Sequence, residues 1–188
     1  MKPSDSPSRF EALLAKMGGV QPVPPRVPWS EVFWSWLGAF VGILLVAVLD
    51  RFVLQGGDWM LMLGSFGASA VLLYGAPASP LAQPRNLLLG HFLSALVGVS
   101  LAQTLPGLAW LAAPLAVSLS IGVMHLTRCL HPPGGATALI AVIGSGQIQA
   151  LGFWYALVPV LAGASLMLVV ALVVNNLAPT RRYPLWWF

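Results

Sequence analysis

From residue 32 onward the chain is a series of long apolar runs separated by short polar or proline-bearing breaks. Val32 to Leu49 is the first run. At about 1.5 Å per residue it is long enough to cross a hydrocarbon core of about 30 Å as a helix. Trp29, Trp34 and Trp36 crowd its start, as an interfacial aromatic belt does, and Asp50 and Arg51 end it. After a turn at Gln55 to Asp58, Trp59 to Ala76 predicts a second segment of unusual make-up. Gly64, Ser65, Gly67, Ala68, Ser69 and Ala70 make its middle small and slightly polar, and Pro77 and Pro80 break it. A polar loop, Ser79 to Asn86, surrounds Arg85. Leu87 to Leu105 and Trp110 to Thr127 are the next long runs, the first with His91 near its start and the second ending at Arg128. A shorter run begins at His131-Pro132-Pro133 and stops near Gly144, and Phe153 to Val174 is the last long one.

These runs predict an all-α, polytopic transmembrane helix bundle over residues 29–188. Residues 1–28 are polar, basic and proline-rich and lack the apolar core and cleavage site of a signal peptide. They read as a disordered cytoplasmic tail in which Phe10 to Met17 forms an amphipathic turn or two at the membrane surface. Four or six crossings are compatible with the runs, and charge separates the two. With six and the N-terminus inside, Arg26, Arg85, Arg128, Arg181 and Arg182 all fall on the cytoplasmic side and only Arg51 lies outside. With four, Arg51, Arg85 and Arg128 all lie outside. The positive-inside rule favours six, with both termini cytoplasmic.

A shift of 68 positions brings Gly67-Ala68-Ser69-Ala70-Val71-Leu72 onto Gly135-Ala136-Thr137-Ala138-Leu139-Ile140. Each stretch lies between two long runs, so the expected layout is two three-segment repeats, each with a short small-residue helix. Three crossings per unit would leave the second unit inverted relative to the first, a plan that puts a site at the repeat interface near the midplane. Close packing of helices through small residues accounts for the same pattern without a site.

Composition strengthens the membrane reading. Only 7% of residues are charged against 58% apolar, where a soluble domain carries about 25% charged residues. The net charge of +4 is spread over residues that flank apolar runs, so a nucleic-acid partner is excluded and a lipid bilayer expected. Cys129 is the single cysteine and reads as a buried, inert thiol. There is no HExxH, GxSxG or P-loop and no paired catalytic carboxylate, so no enzyme, metal or cofactor is expected. Asn86, Asn175 and Asn176 at run ends are expected to satisfy backbone groups, and Asp50 to pair with Arg51 or a distant cation.

Pro132-Pro133-Gly134-Gly135 suggests a break followed by a short helix, since proline has no amide hydrogen to lose at a helix start. Helix N-termini bind anions through free amides, and Gly64 to Ser69 offers a second such start from the other repeat. The candidate binding residues are therefore Gly64, Ser65, Gly67, Ser69, Gly134, Gly135 and Thr137, with Arg128 and His131 beside them. Gly67, Ser69, Gly135 and Thr137 are expected to line a path. Arg128 either attracts the anion or marks the inner edge of its span, and His131 hydrogen-bonds a loop carbonyl at the break.

The run Thr127-Arg128-Cys129-Leu130-His131-Pro132-Pro133-Gly134-Gly135-Ala136-Thr137-Ala138 resembles the signature of the HPP family of integral membrane proteins. Gly64 to Ala70, Ser79 to Asn86 and the pair Gly90-His91 resemble it too, and the likeness extends over about residues 28–188. Plant chloroplast and cyanobacterial relatives are associated with nitrite transport. The resemblance therefore implies a transporter or channel for a small anion such as nitrite, in a bacterial-type inner membrane. Rival readings are a channel for a small neutral solute and a non-transporting scaffold. Subunit number, including a homo-oligomer, stays open.

Overall fold

The computed structural model describes residues 8–53 and 60–188. The turn expected at Gln55 to Asp58 and the first residue of the second segment, Trp59, lie outside the described residues. Eight α-helices carry the fold among the described residues: α1 (Arg9–Met17), α2 (Trp29–Val53), α3 (Met60–Ala70), α4 (Pro84–Thr104), α5 (Ala109–Leu126), α6 (Pro132–Ile143), α7 (Gly146–Ala150) and α8 (Ala162–Leu177). No strand occurs among them. Helix α3 widens into a π turn over Val71–Gly75, a 3₁₀ turn covers Pro80–Ala82, and an irregular turn over Ala156–Leu161 leads into α8.

The amphipathic turn expected near Phe10 is a full helix. Ser8 caps α1 by accepting from the Glu11 amide at 3.2 Å, while the Glu11 carboxylate accepts from the Ser8 amide at 2.8 Å. These bonds hold the Glu11 carboxyl below its ordinary pKa. Four stretches are long and apolar enough to cross a membrane, namely Trp29–Arg51, Pro84–Thr104, Ala109–Leu126 and Ala156–Leu177. The 12 residues of α6 reach only about 18 Å.

Side-chain contacts give the helix directions. Arg181, just past α8, pairs with Glu31 at the start of α2 and donates to the Tyr74 carbonyl at the end of the π turn. Arg85 in the first turn of α4 donates to the Thr127 carbonyl at the end of α5. Asn86 donates to the Leu130 carbonyl just ahead of α6. The starts of α2, α4 and α6 thus gather at one end of the bundle with the ends of α3, α5 and α8. Directions alternate from α2 through α6, and α8 returns to the first end. Arg26, Arg85, Arg128, Arg181 and Arg182 all belong to that end, whereas Arg51 sits in the last turn of α2 at the other.

Lipid tails are as apolar as leucine, so packing and hydrogen bonds rather than water exclusion hold such helices together. Small residues supply the close approach. A Cβ on Gly98 of α4 would sit 2.5 Å from the Ala138 carbonyl oxygen of α6, and one on Gly134 of α6 would sit 2.7 Å from the Gly90 carbonyl oxygen of α4. The two backbones run parallel and nearly touch. Phe66 and Tyr74 fill the other half of the core. Tyr74 lies against Gly38 and Gly42 of α2 and donates to the Met167 carbonyl of α8 at 3.1 Å.

Candidate functional site

Five fully buried polar side chains meet where α3, α4 and α6 converge: Ser65, Ser69, His91, His131 and Thr137. Helix α3 contributes Ser65 and Ser69, one turn apart on a single face. Helix α4 contributes His91, two turns and about 10 Å in from its start. His131 is the residue before α6, and Thr137 follows on that helix. The Thr137 Oγ1 lies 2.7 Å from Ser65 Oγ and 2.7 Å from His91 Nδ1. The Ser69 Oγ lies 2.8 Å from His91 Nε2 and 2.9 Å from His131 Nε2. On its far side, His131 Nδ1 donates to the Leu81 carbonyl in the 3₁₀ turn at 2.8 Å. The two imidazole rings meet edge to face with centroids 4.9 Å apart, and Phe66 covers His91. Tyr155 donates to the Thr137 carbonyl at 2.9 Å. No charged side chain hydrogen-bonds any of the five among the described residues.

The nine candidate residues divide. Ser65, Ser69, His131 and Thr137 come together, with Ser65 within hydrogen-bonding distance (3.1 Å) of the Pro133 carbonyl. Gly64 is exposed, and Gly67 faces a groove shared with Ser35, Trp36, Ala39 and Ile43 of α2. Neither glycine shares the face of Ser65 and Ser69. Gly134 is packed against α4, while Gly135 turns toward Val117 of α5 with room for a methyl group at 3.6 Å. A single path lined by Gly67, Ser69, Gly135 and Thr137 is therefore not formed, because a helix points residues two apart away from each other.

The second helix start expected at Gly64 to Ser69 also needs correction. Those residues lie inside α3, which is already helical at Met60, because small residues do not interrupt a helix packed in a bundle. At α6 the supply of free amides is thin too. Pro132 and Pro133 have no N–H, and the Gly134 amide donates to the His131 carbonyl at 2.8 Å.

Arg128 is exposed in the loop after α5. Its φ of 54° is left-handed, and its amide bonds His125 O at 3.1 Å while the next, Cys129, bonds Met124 O at 2.9 Å. That is a Schellman closure with arginine where glycine is usual.

His91 is the member that the sequence placed near the start of an apolar run and in the family-like pair Gly90-His91 but not among the candidate binding residues. Its signal was an ionisable residue inside an otherwise apolar run. A second polar centre, around Arg181, was read only as an orientation marker. Arg181 pairs with Glu31 at 2.8 Å and donates to Ser35 Oγ at 2.8 Å, Asn175 Oδ1 at 3.0 Å and the Glu31 and Tyr74 carbonyls. Thr180 also bonds Glu31. Asn86, Asn175 and Asn176 each donate to a backbone carbonyl, as expected. Asp50 makes no ion pair among the described residues. Tyr183 donates to the Ala82 carbonyl at 2.7 Å, and burial pushes its phenol pKa up. A hollow of about 650 Å³ opens beside Arg181, between Gly75–Ser79 and Thr180–Arg182.

Residues 24–184 match the family model described as HPP, transmembrane region. Two curated Dictyostelium discoideum proteins, both named as transmembrane proteins, are each 50% identical, over 183 and 169 residues. The matches cover 95% and 88% of this chain but 58% and 59% of those proteins, so the chain spans well under two thirds of their length. No solved structure matches.

Proposed function

Because the chain belongs to the HPP transmembrane family, we propose that it passes a small inorganic anion, nitrite first, across the membrane it spans. The observation that carries this reading is the buried cluster of Ser65, Ser69, His91, His131 and Thr137. Polar and ionisable groups inside a membrane bundle are expensive and mark substrate or ion pathways. Nitrite leads because of the nitrite transport associated with relatives in chloroplasts and cyanobacteria. The candidate contacts are the hydroxyls of Ser65, Ser69 and Thr137, with His131 beside them.

Two further observations support six crossings built as inverted repeats. Helices α3 and α6 touch and run antiparallel, since Ser65 meets Thr137 whereas Ser69 meets His131. Exchanging α2 with α5, α3 with α6 and α4 with α8 also maps the contacting pairs onto one another: α2–α3 onto α5–α6, α4–α5 onto α8–α2, and α4–α6 onto α8–α3. The arginines gathered at one end support cytoplasmic termini, in a bacterial cell on the inner face of the inner membrane.

Uptake into proteoliposomes tests the reading. Nitrite should enter faster than into protein-free vesicles, and Thr137→Ala should slow it. Rates equal to protein-free vesicles would overturn the proposal and leave a scaffold. Flux of small neutral solutes without nitrite would leave a neutral-solute channel.

A further inference from the structure

The hydrogen bonds of the cluster can be ordered from one end. A carbonyl oxygen only accepts, so His131 Nδ1 carries a proton for Leu81. In the neutral ring Nε2 is then a bare lone pair, and Ser69 donates to it at 2.9 Å rather than to the Ser65 carbonyl at 3.3 Å, which would leave that ring nitrogen unpaired. Having used its one hydrogen, Ser69 can only accept from His91, which puts the His91 proton on Nε2. His91 Nδ1 is then an acceptor, filled by Thr137, whose oxygen accepts in turn from Ser65. Three hydroxyl and two ring protons fill five links. If Thr137 turned instead to the Pro133 carbonyl at 3.4 Å, Ser69 would face two bare ring nitrogens with one hydrogen.

One added proton also fits without leaving a group unpaired. His131 keeps its bond to Leu81, the hydroxyls of Thr137 and Ser65 reverse, and Ser65 donates to the Pro133 carbonyl at 3.1 Å. His91 Nδ1–H then donates to Thr137. The sixth proton sits on either side of Ser69: as it moves, one ring N–H bond breaks, the Ser69 hydroxyl proton passes on, and the other ring gains an N–H. A second added proton would place two imidazolium rings 4.9 Å apart with no counter-charge bonded to them among the described residues. The pair and its hydroxyl partners touch Phe66 from α3, Met124 from α5 (with Ser94 of α4 bonded to its sulfur), Pro133 from α6, Leu81 from the 3₁₀ turn and Tyr155 ahead of α8. None is charged.

We propose that this cluster is a single-proton site, in which His91 and His131 share one proton across Ser69, and that the proton crosses the membrane with the anion. The inference rests on the anion reading of the preceding subsection. Its physical basis is that an anion inside the bundle needs a compensating charge and no fixed cation bonds the cluster among the described residues, so a proton taken from water supplies it. His91 and His131 are the groups able to hold that proton as a cation.

Two measurements test this separately. Nitrogen-15 spectra of histidine-labelled protein in lipid nanodiscs report the tautomers. Above the titration range, His131 should carry its proton on Nδ1 and His91 on Nε2, and these two rings should together take up one proton as the pH falls. The opposite tautomer at either ring, or independent protonation of both, overturns the shared site. In proteoliposomes, initial nitrite rates above protein-free vesicles should change less than twofold when 100 mV is imposed and should acidify the lumen one proton per nitrite. A free anion would instead respond toward the roughly fiftyfold driving force of that potential, which overturns the coupling. Ser69→Ala should cut the coupled flux at least tenfold, and Ser69→Thr should restore part of it. If wild-type protein moves no nitrite, the anion reading and its coupling fail together, and the nitrogen spectra still decide whether the proton site exists.

Discussion

The cluster around Ser69 and the knot around Arg181 each bind several segments together, yet they use opposite chemistry. The knot ties α2, the π turn, α8 and the C-terminal residues with a full ion pair, and it lies at the end of the bundle beside an open hollow. The cluster ties α3, α4, α6 and the 3₁₀ turn with hydroxyls and imidazoles alone, about two helical turns inward. Depth explains the difference. At the end, water reaches part of Glu31, and the guanidinium finds five acceptors. Further in, a fixed charge would be costly, and groups that change protonation can be neutral when nothing needs them charged.

The largest expected effect falls on the knot. Arg181→Ala leaves Glu31 and the Tyr74 carbonyl without their donor and should cost about 3–5 kcal/mol, the usual toll of breaking a largely buried pair. Titration with a denaturing detergent, followed by tryptophan fluorescence, measures it. Ser69→Ala should cost less, about 1–3 kcal/mol, because it leaves two ring nitrogens unsatisfied without uncovering a charge. If the two centres are independent, the double variant should equal the sum within about 0.5 kcal/mol. A larger discrepancy would merge the centres into one network and break the comparison.

Neighbouring glycines sharpen the picture at the start of α6. Gly134→Ala should cost about 1–3 kcal/mol, since its Cβ would collide with the Gly90 backbone and with Ser94 Oγ at 2.8 Å. Gly135→Ala should stay within about 0.5 kcal/mol in the same assay, because its Cβ meets Val117 at ordinary contact distance. The smallest effect belongs to Arg128, a cation at the same end as Arg181 but in no comparable network among the described residues. Arg128→Gly should stabilise by roughly 0.5 kcal/mol, the relief of a left-handed arginine net of the entropy glycine loses on folding.

Much of this was legible along the chain. The apolar runs located the four long helices, and the offset of 68 pointed to the stretches that touch, since Ser65 meets the Pro133 carbonyl 68 positions away. The proline pair correctly marked the start of α6. The reading failed where it needed the facing of single residues. Gly67 and Ser69 look equivalent in a list of small residues, yet a two-residue step on a helix sends one to the groove by α2 and the other to the histidines. Likewise, no local pattern could join Arg181 to Glu31, which are 150 positions apart.

Sequence alone determined that this chain lives in lipid, where its helices lie, which end collects the arginines and which two short segments belong together. The first three follow from hydropathy, length and charge, read one residue at a time, and the last from the small-residue match at an offset of 68. Only the tertiary structure decided that His91 and His131 meet across Ser69, that Gly134 packs while Gly135 does not, and that Arg181 closes the basic end. Each of these depends on helix rotation and on partners far apart in the chain. Rotation is set by backbone contact at Gly90, Gly98 and Ala138, because in lipid it is close packing, not the avoidance of water, that chooses which helix faces meet.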